Sequence, residues 1–339
     1  MRLFAMCLLS ALSASAEVVV LQNAVARLGI DTMGGAIVDF QLKSIAMNPF
    51  TWKGDGDTAG GLRGHFICFD RWGAPSKSEI ANGMPFHGEA PRIQWTVTER
   101  GGDSLSMRVH LPMANLDISR KVWLKEAVVT VEETVTNTGK LGRVYNLVQH
   151  PSIAPPFLDE ATIVDANARK GFSQSSPMPN PEEPSFAWPQ AIDGAKAVDI
   201  RRLTDNHDPN VVSYVVDEDW GWTTALQPKN GLLLGYIWKT SEYPWFNAWR
   251  HVEGSKPAAR GLEFGTTGLH QPYPVLSKKG TIFGRPLYAF ADAGESHTRT
   301  YTMFLVKAPT AMKGVAAVEK RDHGWTVKAY TGEEVAVHQ

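Results

Sequence analysis

The dominant period along the chain is two. In SLSMRVHL (104–111), Leu105, Met107, Val109 and Leu111 alternate with polar or charged neighbours. In VVTVEETVTN (128–137), Val129, Val131 and Val135 share one face. Such alternation is the mark of a half-buried strand. Comparable short runs recur at 34–42, 93–98, 118–124, 143–149, 211–216, 231–238, 281–290, 299–306 and 325–330. Turn signals separate them, among them Asn137-Thr138-Gly139, Lys229-Asn230-Gly231 and Thr331-Gly332. No amphipathic helix of more than three turns is visible. Many short strands joined by turns predict an all-β sandwich or barrel with few short helices.

Two stretches break the pattern. The first is the N-terminus, where Arg2 precedes an apolar run from Leu3 to Leu12 and then small residues ending Ala14-Ser15-Ala16. This is the layout of a secretory signal peptide at 1–16, with a mature domain over 17–339 that is secreted or periplasmic. The run is too short for a membrane anchor, and no other stretch is apolar enough to cross a bilayer. The second is SSPMPNPEEPSFAWPQ (175–190), whose five prolines exclude a central strand and predict a surface loop. No repeat or linker divides the rest, which predicts one domain.

Composition narrows the function classes. The 339 residues carry a formal net charge of −1 with no basic or acidic block, which argues against a nucleic-acid surface. Removing residues 1–16 takes away Arg2, so the net charge moves from −1 to −2. It also removes Cys7 and leaves Cys68 alone, so stability must come from a sizeable core and not from an internal disulfide. The 11 tryptophans offer flat faces that fill cores or stack on sugar rings. Phosphate-binding glycine loops, paired cysteines at zinc spacing, GxSxG and HExxH are all absent, and the ten histidines are scattered. The spacing predicts no metal site.

What remains is a set of polar residues at strand ends: LRGHFICFDRWG (62–73), PFHGEAPRIQW (85–95), NLVQHPSIAPPF (146–157), YPWFNAWRH (243–251) and RGLEFGTTG (260–268). Each has a bland reading. His87 before Gly88 fits a half-exposed ring at a bend. His150 closes a strand-like run before Pro151 turns the chain. Glu263 fits a solvent-facing strand position, although glutamate is depleted in strands and the flanking Gly261 and Gly265 would let a ligand approach.

Together and in this order, the five segments resemble the aldose 1-epimerase superfamily, the galactose mutarotase-like β-sandwich, nearest its hexose-phosphate epimerase branch. Arg63-Gly64-His65, Trp72-Gly73, His87-Gly88 with Arg92 and Trp95, His150-Pro151 and Leu262-Glu263 match its landmarks across roughly 25–310. The resemblance implies Glu263 as base and His150 as acid. Arg63, His87, Arg92, Asn247, Trp249 and Arg250 would bind a carbohydrate, with no cofactor. Three departures stand out. Glu89 replaces the usual phenylalanine after the His-Gly, one residue is inserted before Arg92, and Asn247 is the best substitute for the family's sugar-binding aspartate.

The implied reaction interconverts anomers of a free aldose or an oligosaccharide end. A base takes the C1 hydroxyl proton, an acid protonates the ring oxygen, and the ring recloses after rotation. Free Glu titrates near about 4.3 and free His near about 6.5, so Glu263 as carboxylate and His150 as imidazolium would start in those roles. The two side chains are expected to stand about one sugar ring apart. Two other classes stay open: a non-catalytic carbohydrate-binding protein on the same fold, and a polysaccharide lyase or hydrolase. A hydrolase needs two flanking carboxylates, for which Asp70 is the second candidate, with a surface ion pair to Arg71 as its bland reading.

Overall fold

The structure, a computed structural model, describes residues 17–54, 61–174, 185–193, 196–203 and 210–339. The stretch 1–16, expected to be a signal peptide, and the proline-rich residues 175–184 lie outside the described residues. The architecture is all-β, as the alternation predicts. A nine-stranded antiparallel sheet runs in the spatial order Val18–Gln22, Ala26–Asp31, Ile37–Leu42, His65–Phe69, Leu147–Ile153, Lys256–Gly265, Trp245–Glu253, Val211–Val215, Lys170–Ser173. An eight-stranded sheet runs Ile163–Ala166, Trp220–Gln227, Leu232–Lys239, Ser296–Lys307, Val128–Asn137, Leu116–Lys125, Ser104–Leu111, Thr96–Arg100. Their facing sides interdigitate around one continuous apolar cluster that includes Leu28, Phe40, Ile67, Phe69, Val131, Phe246, Leu262 and Phe264.

Period two holds best where one face meets water. Along Leu116–Lys125 buried and exposed positions alternate without a break. Leu232–Lys239 is buried on both faces over its first seven residues. There a small sheet of Val315–Arg321, Gly324–Ala329 and Glu334–His338 covers the far side, packing Trp325 and Val327 on Trp222, Leu233 and Ile237.

Some expectations change. The run at 281–290 is three short strand fragments, because Phe283 and Gly284 turn at positive φ and Pro286 removes a donor. The run at 143–149 divides at Asn146, and its second part continues to Ile153. The end of the proline-rich stretch is not a free loop. Phe186 bridges to Gly171, and Trp188 packs edge-on against Tyr214 and Phe246. Helix is confined, among the described residues, to Lys77–Ala81, Tyr273–Lys279 and a single 3-10 turn at Ala90–Arg92. No helix among the described residues is long and apolar enough to cross a membrane.

Between the sheets lies a buried polar chain. Arg120 Nε donates to Glu133 Oε1 at 2.7 Å, and Gln149 Nε2 donates to Glu133 Oε2 at 2.6 Å. Gln149 Oε1 faces His65 Nε2 at 3.1 Å, and Tyr236 closes the chain on His65 Nδ1 at 3.2 Å. Each charge or dipole taken out of water here has a partner, which is the condition for burying it.

Candidate active site

The strands that send His65 and Gln149 inward send their neighbours outward. Register pairs Val148 with Cys68 and His150 with Phe66. It pairs Gln149 with Phe264 and Ser152 with Gly261, which sets His150 across from Glu263. Asn247 pairs with Glu263, and Trp249 with Gly261. One row across the outer face therefore reads Phe66, His150, Glu263, Asn247. Gly261 keeps that row open, since a Cβ there would come within 2.7 Å of Glu263 Oε1.

Two loops wall this face. Residues 70–95 bring Trp72, Phe86 and His87, steadied by a short helix capped by the Ser76–Glu79 box and by the Arg71–Glu79 ion pair at 3.4 Å. The segment after Glu263 brings His270 over Gly73, where any side chain would collide with the imidazole. Trp52, Trp72, Phe86, His87, His150, Trp249, Glu263 and His270 enclose a pocket of about 220 Å³ with Gly73 and Val211. That is below the usual range of about 300–1,000 Å³ for drug-sized ligands and suits one small ring. Trp249 is partly exposed and meets Trp52 edge-on at 5.5 Å, leaving an aromatic wall.

At its floor Glu263 and His150 touch, Oε1 to Nε2, at 3.2 Å. Neither is bonded only to the other. Trp72 Nε1 donates to Glu263 Oε2 at 2.7 Å, and His150 Nδ1 meets Ser152 Oγ at 2.9 Å. Burial pushes the Glu263 carboxyl up to about 8 against the opposing pull of the Trp72 hydrogen bond. Burial takes His150 down to about 3. With no lysine or arginine among the described residues of the pocket lining, an ion pair would carry two desolvation penalties of several kcal/mol each, and the neutral pair wins. The hydrogen-bond chain then closes: Trp72 N–H to Oε2, carboxyl O–H to His150 Nε2, His150 Nδ1–H to Ser152 Oγ. Two expectations are corrected. The resting pair holds its proton on Glu263 and not on His150, and the two groups are in contact and not a ring apart.

Of the other sequence candidates, His87 and Trp249 line this pocket. His87 takes a positive φ of 64° and turns Nδ1 to the Cys68 thiol at 3.0 Å and the Gly73 N–H at 3.1 Å. Asn247 lies beside Glu263, its amide nitrogen donating to Thr267 O at 3.2 Å and its Oδ1 without a partner. Three arginines are corrected. Arg63 forms an ion pair with buried Asp31. Arg92 is exposed at the end of the 3-10 turn, outside the pocket lining. Arg250 pairs with Arg260 on the inner face, because strand alternation carries it opposite to Trp249. Asp70 is no second acid for this pocket: it is buried against Arg143 and Tyr273, and burial raises it to about 6. Glu89, the other departure, accepts from the Met113 and Ala114 N–H groups and anchors the loop.

Trp52, Cys68 and His270 escaped the sequence reading. Trp72 was visible only as part of a motif, and nothing near Trp52 or His270 in sequence marks them.

No family model matches the chain, and no curated protein matches it. Solved structures do. A galactose mutarotase related enzyme from Lactobacillus acidophilus aligns with TM-score 0.65 at 12% identity, covering 86% of this chain and 98% of that one. A galactose mutarotase-like protein from Clostridium acetobutylicum aligns with TM-score 0.66 at 14% identity, over 86% and 98%. One from Lactobacillus casei gives 0.62 at 15%, over 86% and 100%. The fold is thus the galactose mutarotase-like β-sandwich that the sequence motifs suggested.

Proposed function

We propose that the protein is an aldose 1-epimerase-like enzyme that interconverts the anomers of a free aldose or of an oligosaccharide end. The observation that carries this reading is the Glu263–His150 contact, one proton shared by two groups on the floor of a tryptophan-walled pocket. The C1 hydroxyl and the ring oxygen are both attached to C1, so a pair in contact can face both. His150 Nε2 accepts the hydroxyl proton while Glu263 gives its proton to the ring oxygen, and the C1–O5 bond breaks. After rotation about C1–C2, the Glu263 carboxylate takes the proton back from the C5 hydroxyl as that oxygen attacks the other face of C1. The imidazolium returns its proton to O1, and the pair is restored. Each positioned proton transfer contributes on the order of 10²–10⁴ in rate. Trp249 and Trp52 would stack on the ring, and His87 would border it.

Hydrolysis fits less well, since among the described residues Glu263 is the only carboxylate in the pocket lining and a hydrolase needs two. The test is polarimetry of freshly dissolved α-glucose or α-galactose with and without protein. Acceleration supports the reading; tight sugar binding without acceleration would replace it with a carbohydrate-binding role. We also propose that the protein acts outside the cytoplasm, on the strength of the signal-like N-terminus. Protein from its native host should begin at Glu17, and an intact Met1 would reverse this.

A further inference from the structure

We propose that Cys68, His87 and His150 form a three-ligand binding site for one zinc-like divalent transition-metal ion. One donor atom from each of the three residues lies within 4.8 Å of the others. Cys68 Sγ is 3.0 Å from His87 Nδ1. Bond lengths of about 2.3 Å to sulfur and about 2.0–2.1 Å to nitrogen put two tetrahedral ligands of one zinc roughly 3.3–3.6 Å apart. The Cys68–His87 separation of 3.0 Å falls just short of that range and the other donor pairs of the three residues lie within 4.8 Å, so small side-chain movements close the shell. One thiolate and two imidazoles select zinc or copper over magnesium or calcium, whose ligands are oxygens.

The surroundings hold these donors as a metal site requires. Ser152 Oγ engages the second nitrogen of His150, which leaves Nε2 toward the cluster. His87 is clamped at its positive φ by Phe69 N–H donating to its carbonyl at 3.2 Å and its own N–H donating to Gly73 O at 3.1 Å. Cys68 and His150 come from adjacent strands of a rigid sheet. Without an ion, the thiol proton serves the His87 ring; the ion replaces that proton, which is released to solvent. Sequence spacing concealed the cluster because its three members come from separate segments joined only by the fold.

A bound ion would take the lone pair at His150 Nε2 and so block the acid/base cycle. That consequence rests on the proposed epimerase reading; the binding itself does not. The test is titration of Co²⁺ into the reduced full chain carrying Cys7→Ser, so that Cys68 is the only thiol. The expected result is a thiolate-to-cobalt charge-transfer band that saturates at one equivalent and is lost on adding Zn²⁺. Cys68→Ala should abolish the band, and His87→Gln should weaken binding by at least about tenfold. A titration of the Cys7→Ser parent without the band, or the same band once Cys68→Ala is added, overturns the proposal. If Cys68→Ala fails to fold, the titration of the Cys7→Ser parent alone decides, because it has no other thiol that could give the band. A band together with no mutarotation by the metal-free protein would sink the epimerase reading alone, and mutarotation without a band would sink this inference alone.

Discussion

The two faces of the nine-stranded sheet bury acids in opposite ways. On the inner face, Glu133 receives a guanidinium and an amide, and the Arg120 side chain is raised by it despite full burial. On the outer face, Glu263 meets a neutral indole and an imidazole and is pushed up to about 8. Side chains on opposite faces of the same two strands serve both, Gln149 and His65 inward, His150 and Cys68 outward. The inner acid is a charge held by partners and so fixes structure. The outer acid is a proton held by burial, ready to leave, and that is the property acid/base chemistry uses.

The same substitution on each face should separate these roles. Glu133→Gln leaves Arg120 buried without its counter-charge and should cost about 3–5 kcal/mol in urea unfolding. Glu263→Gln mimics the neutral acid, with its amide donating to His150 and accepting from Trp72, so stability at pH 6 should change by less than about 1 kcal/mol. Equal losses at both sites would erase the distinction.

The pH dependence sharpens it. Glu263 titrates near about 8 folded against 4.5 as a free group, so its contribution is complete below 4.5 and is lost as pH rises toward 8. His150 goes from 6.5 to about 3, so its contribution is present above 6.5 and lost as pH falls toward 3. Between 4.5 and 6.5 the two slopes oppose; above 6.5 only Glu263 acts. Stability should therefore fall from pH 6.5 to 8 in the wild type, and Glu263→Gln should remove that part of the slope. An unchanged slope in the variant would place the titration elsewhere.

Smaller effects test the walls. Trp249→Ala should weaken sugar binding by about threefold to tenfold, the worth of one aromatic contact. Arg92→Ala, which changes an exposed residue outside the pocket lining, should shift affinity by less than about twofold. Calorimetric titration with the same sugar reads both, and a larger loss at Arg92 would restore it to the site.

The inner face is what sequence patterning reads well. Strands with one wet side, such as Leu116–Lys125, show their period plainly. Trp245–Glu253 and Lys256–Gly265 do not, because polar residues at the pocket interrupt an outer face that is itself buried. His150, Glu263, His87 and Trp249 were legible through short motifs. Arg63, Arg92 and Arg250 were not, since a motif gives no sign of which face its arginine takes or which acid awaits it. The Cys68 cluster and His270 depend on contacts between distant segments, which no local pattern encodes.

The most direct measurement is the initial rate of mutarotation of α-glucose and α-galactose at neutral pH, wild type against Glu263→Gln, with the uncatalysed rate subtracted. The account predicts acceleration of at least one of these sugars by wild type and a loss of about 10²–10⁴ in the variant, with sugar affinity little changed. A wild-type rate equal to the uncatalysed one, or a variant as fast as wild type, would contradict it.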